Sequence, residues 1–347
     1  MDITSQYRKL NRSFRKTLIY HVGIDAGFFT EYTYMINAML WCLQNKVQFK
    51  LYSADANFGY SKGWTDYFDS FCEETTDELH HRYNTHPIPS FINLLKLSIK
   101  RHNANLLKWK IKVTCNGIIG RFALFVKYGN PILLNQNIKF RHDTLYNIPE
   151  LGIVDCNYID AFNKMVDITW NLNKDTKKEV NRFIESLSLP DKYTGCQVRG
   201  GDKVTEVNLL EPEYYADKLK NYSNPENVFV LTDDYKIYSR LCKYSPHTNW
   251  FTLCKFNEDG YVNSKFTNIS SECKREQMVR FIASMEVLKK SENFLGSITP
   301  GPSLFLFKRL YPNIKMIDCH SKDFMNILKL PITKRGEIAE AYLNNHK

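Results

Sequence analysis

Gly195-Cys196-Gln197-Val198-Arg199-Gly200-Gly201-Asp202-Lys203-Val204-Thr205-Glu206 begins as a short β-type run and closes with an arginine, two glycines, an acid, a base and a further acid. Working outward, Val228-Phe229-Val230-Leu231-Thr232-Asp233-Asp234 reads as a buried parallel strand ending in two acids. Between the two, Glu211-Pro212-Glu213-Tyr214-Tyr215-Ala216-Asp217-Lys218-Leu219 reads as a helix, with proline near its start and acids in its first turn. Strand, loop, helix, strand, loop is a βαβ unit, so the expected class is α/β with a parallel sheet. Ligands of such sheets sit at the carboxyl ends of the strands, where Arg199 and the Asp233/Asp234 pair both fall.

An arginine at a strand end offers a planar, permanently charged fork to phosphate oxygens, and adjacent glycines let backbone N–H groups approach a ligand. Lys203 would add a second cation, and Glu206 a carboxylate within reach. The same letters are also ordinary turn vocabulary, and a β-turn with an Arg–Asp surface pair is the competing reading.

Upstream, residues 17–52 predict another βαβ unit: a strand Thr17–Val22, a loop Gly23–Gly27 leading into Phe28 and Phe29, a helix from about Thr30 to Gln44, and a strand Val47–Tyr52. From 70 to 165 the reading is mostly helical, interrupted by a β-like Ile111-Lys112-Val113-Thr114. Charged helices follow at 173–184 and 274–290. Asn293 to Leu304 then reads as a strand, a glycine loop and a helix beginning near Ser303. Free N–H groups at that helix start make Thr299, Gly301 and Ser303 candidates for an anion, although a plain N-capped core helix fits the same letters. The expected division is 1–175, 176–330 and a tail helix within 331–347, since 347 residues exceed what one core usually serves.

With 43% hydrophobic and 14% aromatic residues, the composition is that of a globular protein. Nine scattered cysteines without a Cys-x-x-Cys spacing speak against zinc and for a reducing compartment. The polar N-terminus has no signal-peptide pattern, and no uncharged apolar run approaches the roughly 20 residues of a membrane span. A cytoplasmic location is therefore expected. The net charge of +10 is unevenly placed: residues 80–142 hold eleven Lys and Arg and no acid. Phe91, Leu94, Leu95 and Ile99 after Ser90 suggest a basic amphipathic helix, suited to an anionic lipid surface at the inner membrane face. A solvated basic face over the domain's own core is the alternative, and no nucleic-acid-binding motif occurs.

Residues 197–206 resemble the His-x-Arg-Arg-x-Asp-Lys-Val-x-x-Glu loop of the α1,6-fucosyltransferases and the bacterial nodulation-factor fucosyltransferases, and Leu231-Thr232-Asp233-Asp234 is similar to their Ala-Thr-Asp-Asp. Leu51 to Phe68, a strand followed by Gly63-Trp64, resembles their closure of the first βαβ unit, and the likeness runs in order from about residue 17 to about 325. Three positions depart from the pattern: Gln197 for histidine, Gly200 for the second arginine, and Ser284 where an acid reads guanine, with Glu286 the nearest carboxylate.

The resemblance implies a GT-B-like pair of facing Rossmann-like domains with a cleft between them. It implies an inverting glycosyltransferase that moves fucose from GDP-fucose to a hydroxyl of a glycan acceptor. By it, Arg199 and Lys203 hold the diphosphate with Thr299, Gly301 and Ser303, and Glu206 is the general base. Asp202 is either an alternative base or a partner fixing Arg199 or Lys203. Asp233 and Asp234 line the donor pocket or cap the next helix, and Gly27 and Phe28 face the diphosphate or belong to a tight βα turn whose aromatics plug the core. None of the 37 acids forms an Asp-x-Asp motif, so a cationic, metal-free solution is expected. Another nucleotide sugar, or an inactive nucleotide- or glycan-binding protein, are the rival expectations.

Overall fold

The computed structural model describes residues 2–23, 26–76, 144–201, 210–220, 226–312 and 314–345, with 105, 108, 111, 115, 119, 122, 123, 125–129, 131–134 and 138. Asp202, Lys203 and Glu206 lie outside the described residues, as does the helix expected after Ser90. The chain forms two compact units, Met1–Ala26 with Thr30–Asn171, and Gly27–Phe29 with Leu172–Lys347.

In the first unit, α1 (Ile3–Ser13) starts on Asp2, whose carboxylate accepts from the Ser5 N–H. Its buried Asn11 both donates to and accepts from the Phe49 backbone, tying the helix to a strand. The strands β1 (Lys16–His21) and β2 (Val47–Tyr52) are joined through α2 (Phe28–Gln44), and β3 (Ile132–Leu134) completes a parallel sheet ordered β2-β1-β3. Helix α2 buries the stripe Tyr32, Met35, Ile36, Met39, Leu40 and Leu43 and, off it, Glu31, Asn37, Ala38 and Cys42, a spread too wide for one stripe, which marks an interior helix. A hairpin of β4 (Tyr146–Ile148) and β5 (Ile153–Cys156) precedes α3 (Tyr158–Thr169).

After β2, the Asp66 carboxylate accepts from the backbone N–H groups of Tyr60, Ser61, Lys62 and Gly63, which folds the Gly-Trp segment onto itself. Gly63 has φ +84 there, and a side chain would collide with Ser53.

One expectation fails in this unit, at Ile111. Within 70–165, most of 77–143 lies outside the described residues; the positions described from 105 to 128 are helical, and the short strands β3, β4 and β5, three or four residues each and too short to show alternation, stand among the described remainder. Ile111 is helical rather than β-like, in line with helical positions from 105 to 128.

In the second unit, α4 (Lys174–Ser186) is capped by the Asn173 side chain. There follow β6 (Thr194–Gln197), α5 (Pro212–Leu219), β7 (Asn227–Leu231), α6 (Tyr235–Tyr244) and β8 (Asn249–Phe251). Then come α7 (Ser271–Lys290), β9 (Asn293–Gly296), α8 (Gly301–Leu310), β10 (Lys315–Met316) and α9 (Ile332–Asn345).

The five strands form one parallel sheet ordered β10-β9-β6-β7-β8. The chain steps outward from β6 to β8, returns through α7, and continues on the other side of β6. Strand direction of travel therefore reverses between β6 and β9, and a crevice opens at the carboxyl ends of such neighbours. Cys196, Val228, Val230, Leu241 and Leu295 form the core beneath that edge. The tail is one helix, α9, whose Tyr342 ring meets His320 edge-on at 4.9 Å.

Candidate functional site

The carboxyl end of β6 has the loop after β7 on one side and, across the reversal point, the loop between β9 and α8 on the other. Val198 N–H donates to Leu231 O, which carries the β6–β7 pairing one residue past the strand and fixes where Arg199 starts. The Arg199 guanidinium then meets Asp233, with Nη1 2.6 Å from Oδ2, and lies 5.2 Å from the centre of the Tyr261 ring. It is one-fifth exposed.

Asp233 also accepts from the N–H groups of Gly200 at 2.7 Å and Tyr261 at 2.9 Å, while its carbonyl accepts from Gly260 N–H. One carboxylate thus fixes the arginine and two loop backbones. Gly201 (φ +63) and Gly260 (φ +105) lie against each other, and a methyl group on either would press on backbone atoms at 2.6 Å or less. Asp234 has a different job: its Oδ1 accepts from Lys236 N–H and caps α6. Beside these groups lies a cavity of about 500 Å³, lined by Arg199, Gly200, Gly201, Asp234, Ile237 and Arg240 among others. That is the size range of small-molecule sites.

At the other side of β6, Ser303 in the first turn of α8 is fully buried, and its hydroxyl donates inward to Gln197 Oε1. The Ser303 hydroxyl is therefore committed inside the protein, and only the helix-start backbone faces the loop. Gly301 begins that helix with Phe29 Cβ 3.1 Å from where its own Cβ would be. Thr299 is buried and shares a hydrogen bond with Ser297, whose hydroxyl donates to Asp318. Asp318 also accepts from Ile298 N–H. Burial pushes its carboxyl up to about 6, against the hydrogen bonds, which pull down. Sequence reasoning missed Asp318, yet Met316-Ile317-Asp318 repeats the apolar-then-acid ending that marked Asp233.

Of the remaining candidates, Phe28 sits in the first turn of α2 rather than in the preceding loop, its ring against Phe281. Gly27 has open space around it. Glu286 on α7 is ion-paired one turn on with Lys289, and Ser284 is buried with its hydroxyl on Arg280 O. A side chain at Gly200 would meet Asp234 Cβ and Ile237 Cδ1 at 3.1 Å, so an arginine would not fit there without rearrangement.

In the first unit the carboxyl ends of β1 and β2 carry a buried His21 whose Nε2 is 2.8 Å from Asp55. Glu31, also buried, accepts from the N–H groups of Gly23 and Ala26 and so braces the loop before α2. Among the described residues no group of three metal-ligating side chains occurs.

The chain's parallel-sheet α/β architecture has counterparts among solved structures. In particular, the fold is similar to that of the fucosyltransferase NodZ from Bradyrhizobium, with a TM-score of 0.50 and 12% identity over 86% of this chain and 92% of that one. It is equally similar to NodZ alpha-1,6-fucosyltransferase co-crystallized with GDP, with a TM-score of 0.50 and 13% identity over 86% of this chain and 93% of that one. At such identity the likeness is one of fold. No protein-family description matches the chain, and no curated protein does.

Proposed function

We propose that this protein is an inverting, metal-independent glycosyltransferase that takes fucose from GDP-fucose and passes it to a hydroxyl of a glycan acceptor. The observation that carries the reading is Arg199, held by Asp233 and Tyr261 at the carboxyl end of β6, the strand that borders the reversal point, beside a cavity of about 500 Å³ on its β7 side. A guanidinium already fixed in place neutralises a departing diphosphate with little reorganisation, and that is the main electrostatic demand of sugar transfer. The α8 N-terminus at Gly301 adds backbone donors from across β6. The fold's similarity to a transferase co-crystallized with GDP supports a guanine nucleotide as the donor carrier.

In this reading Lys203 joins Arg199 on the diphosphate, Glu206 takes the proton of the acceptor hydroxyl, and Asp202 steadies the cations. The sequence lacks an Asp-x-Asp motif, so the cations do the work a divalent metal does elsewhere. Nine free thiols support a reducing, cytoplasmic setting. The acid-free 80–142 segment supports peripheral attachment to an anionic membrane face, and Ile111, Phe122 and Val126 are exposed on its helical positions.

The test is thermal shift with GDP, UDP, ADP and CMP, followed by transfer from GDP-fucose in EDTA. GDP alone should raise the melting temperature, since only a ligand of the native state stabilises it. Transfer should persist in EDTA, vanish in Arg199→Ala together with the GDP shift, and vanish in Glu206→Gln with the shift retained. A metal requirement or a response to UDP alone refutes the reading. One observation favours the same chemistry with another nucleotide: Ser284, at the expected guanine-reading position, is buried and bonded to its own helix.

A further inference from the structure

The loop after β8 holds a side chain that the fold itself does not use. Phe256 is 82% exposed, the most exposed of the large hydrophobic residues among those described. Its loop is not loose. Lys255 N–H donates to Glu258 Oε2 at 2.9 Å, and Glu258 N–H donates to Lys255 O at 3.0 Å. The buried Arg280 donates from Nη1 to Leu253 O and to Glu258. A buried arginine thus fixes the backbone from which an aromatic ring projects into water. The ring is therefore held at the surface, open to a ligand.

Phe256 forms one wall of a groove of about 320 Å³ whose other wall is α6, with Lys236, Ser239, Lys243 and Asn257 around it. Lys236 and Lys243, both exposed, stand seven residues apart and so two turns apart on one helix face, with Ser239 between them. Neither ammonium has an ion-pair partner among the described residues. The neighbouring cations do: Arg240 is bound by Glu211 and Glu213, and Lys255 by Glu276. Of the acids in the groove, Glu258 is spent on Arg280, leaving Asp259. Two uncommitted positive charges therefore flank an apolar ring, a hydroxyl and an amide.

We propose that this groove binds an anionic oligosaccharide, one bearing sulfate, phosphate or carboxylate groups. The apolar C–H face of a pyranose stacks on a single aromatic wall, Ser239 and Asn257 match ring hydroxyls, and the lysines take the anionic groups as point charges. Single-stranded nucleic acid also uses cations and aromatic rings, but successive bases need successive platforms; the groove's other ring, Tyr235, packs on Tyr238, which leaves Phe256 as the ring of the groove without a ring partner among the described residues. The groove adjoins the Arg199 cavity through Arg240 and Asp259, which line both. The proposal stands apart from the donor assignment, so the GDP shift and saccharide binding fail or succeed separately.

The test is calorimetric titration of the full chain with a sulfated hexasaccharide, a uronate-bearing hexasaccharide, a neutral hexasaccharide of matched length, inorganic sulfate and a single-stranded hexanucleotide. At least one anionic saccharide should bind about tenfold or more tighter than the neutral one and than sulfate, and the two anionic arms identify the charged group. Phe256→Ala and Lys236→Ala/Lys243→Ala should each weaken it about tenfold, with melting temperature and GDP shift unchanged, which shows that the fold persists. Equal binding of the neutral sugar, no binding of either anionic sugar, an indifferent Phe256→Ala, or tighter binding of the oligonucleotide each overturns the proposal.

Discussion

Arg199 Nη1 lies 2.6 Å from Asp233 Oδ2, and the same carboxylate receives the Gly200 and Tyr261 N–H groups. The acid therefore fixes the arginine's geometry. Asp233→Asn keeps an acceptor for one loop N–H but turns an amide toward the guanidinium. We expect a stability loss of about 2 kcal/mol, the size of a hydrogen bond to a charged group, and weaker GDP binding by about tenfold. Denaturant unfolding and the GDP thermal shift measure the two. An unchanged GDP shift would show that Arg199 needs no such support.

Arg280 and Glu258 form a second fixed pair, with an arginine 9% exposed and a carboxylate one-quarter exposed. The bond pulls the Glu258 carboxyl down, against the upward pull of burial. A lowered folded value means stability that is present above the ordinary carboxylate range and lost as pH falls through the folded value. Glu258→Gln should remove that acid-side loss while costing about 1 to 3 kcal/mol at neutral pH. Urea unfolding of both proteins between pH 3 and pH 7 reads the difference, and parallel curves would contradict it.

Asp318 behaves in the opposite sense. Its folded value, raised to about 6 from 3.8, means that the folded chain holds this proton more tightly than the unfolded one. The contribution is fully present below the unfolded value and is lost as pH rises through about 6. Relative to Asp318→Asn, which cannot ionise, the wild type should lose on the order of 2 kcal/mol between pH 4 and pH 7. Urea midpoints of the two proteins across that range check it. A constant difference would mean that the hydrogen bonds from Ser297 and Ile298 cancel the effect of burial.

The elements that sequence reading located well share a physical feature: a continuous apolar run or a helical period long enough to have only one solution. Val47–Tyr52 and the strand ending at Leu231 fold where their letters place them, because both are rich in β-branched, aromatic and aliphatic residues bounded by polar turns. Strand β8, Asn249–Phe251, escaped because three residues carry no period, and its pairing with β7 comes from the sheet. Arg199 was visible as a cation at a strand end. Its partners were not: Tyr261 and Gly260 approach it from the loop after β8, some sixty residues along the chain, and only the β7–β8 pairing brings them there. The Ser303 hydroxyl looked available for an anion because its helix start was evident, while its buried bond to Gln197 depends on β9 lying beside β6.

That last bond joins the two sides of the reversal point. Gln197 is 3% exposed and Ser303 fully buried, so neither has water as a substitute partner if the other is removed. Gln197→Ala strands a buried hydroxyl and Ser303→Ala strands a buried amide oxygen, each costing about 1 to 3 kcal/mol. Removing both leaves no stranded group. The double variant should therefore lose about 1 kcal/mol less than the two single losses added together. The same cycle read through GDP thermal shifts separates packing from recognition. If the bond sets the spacing between Arg199 and the α8 N-terminus, both single variants weaken GDP binding and the double variant does not restore it. Gln197→His, which carries the ring found in the resembled loop, should keep a partner for Ser303 and lose the least. A strictly additive cycle would show that the two side chains are neighbours without being coupled.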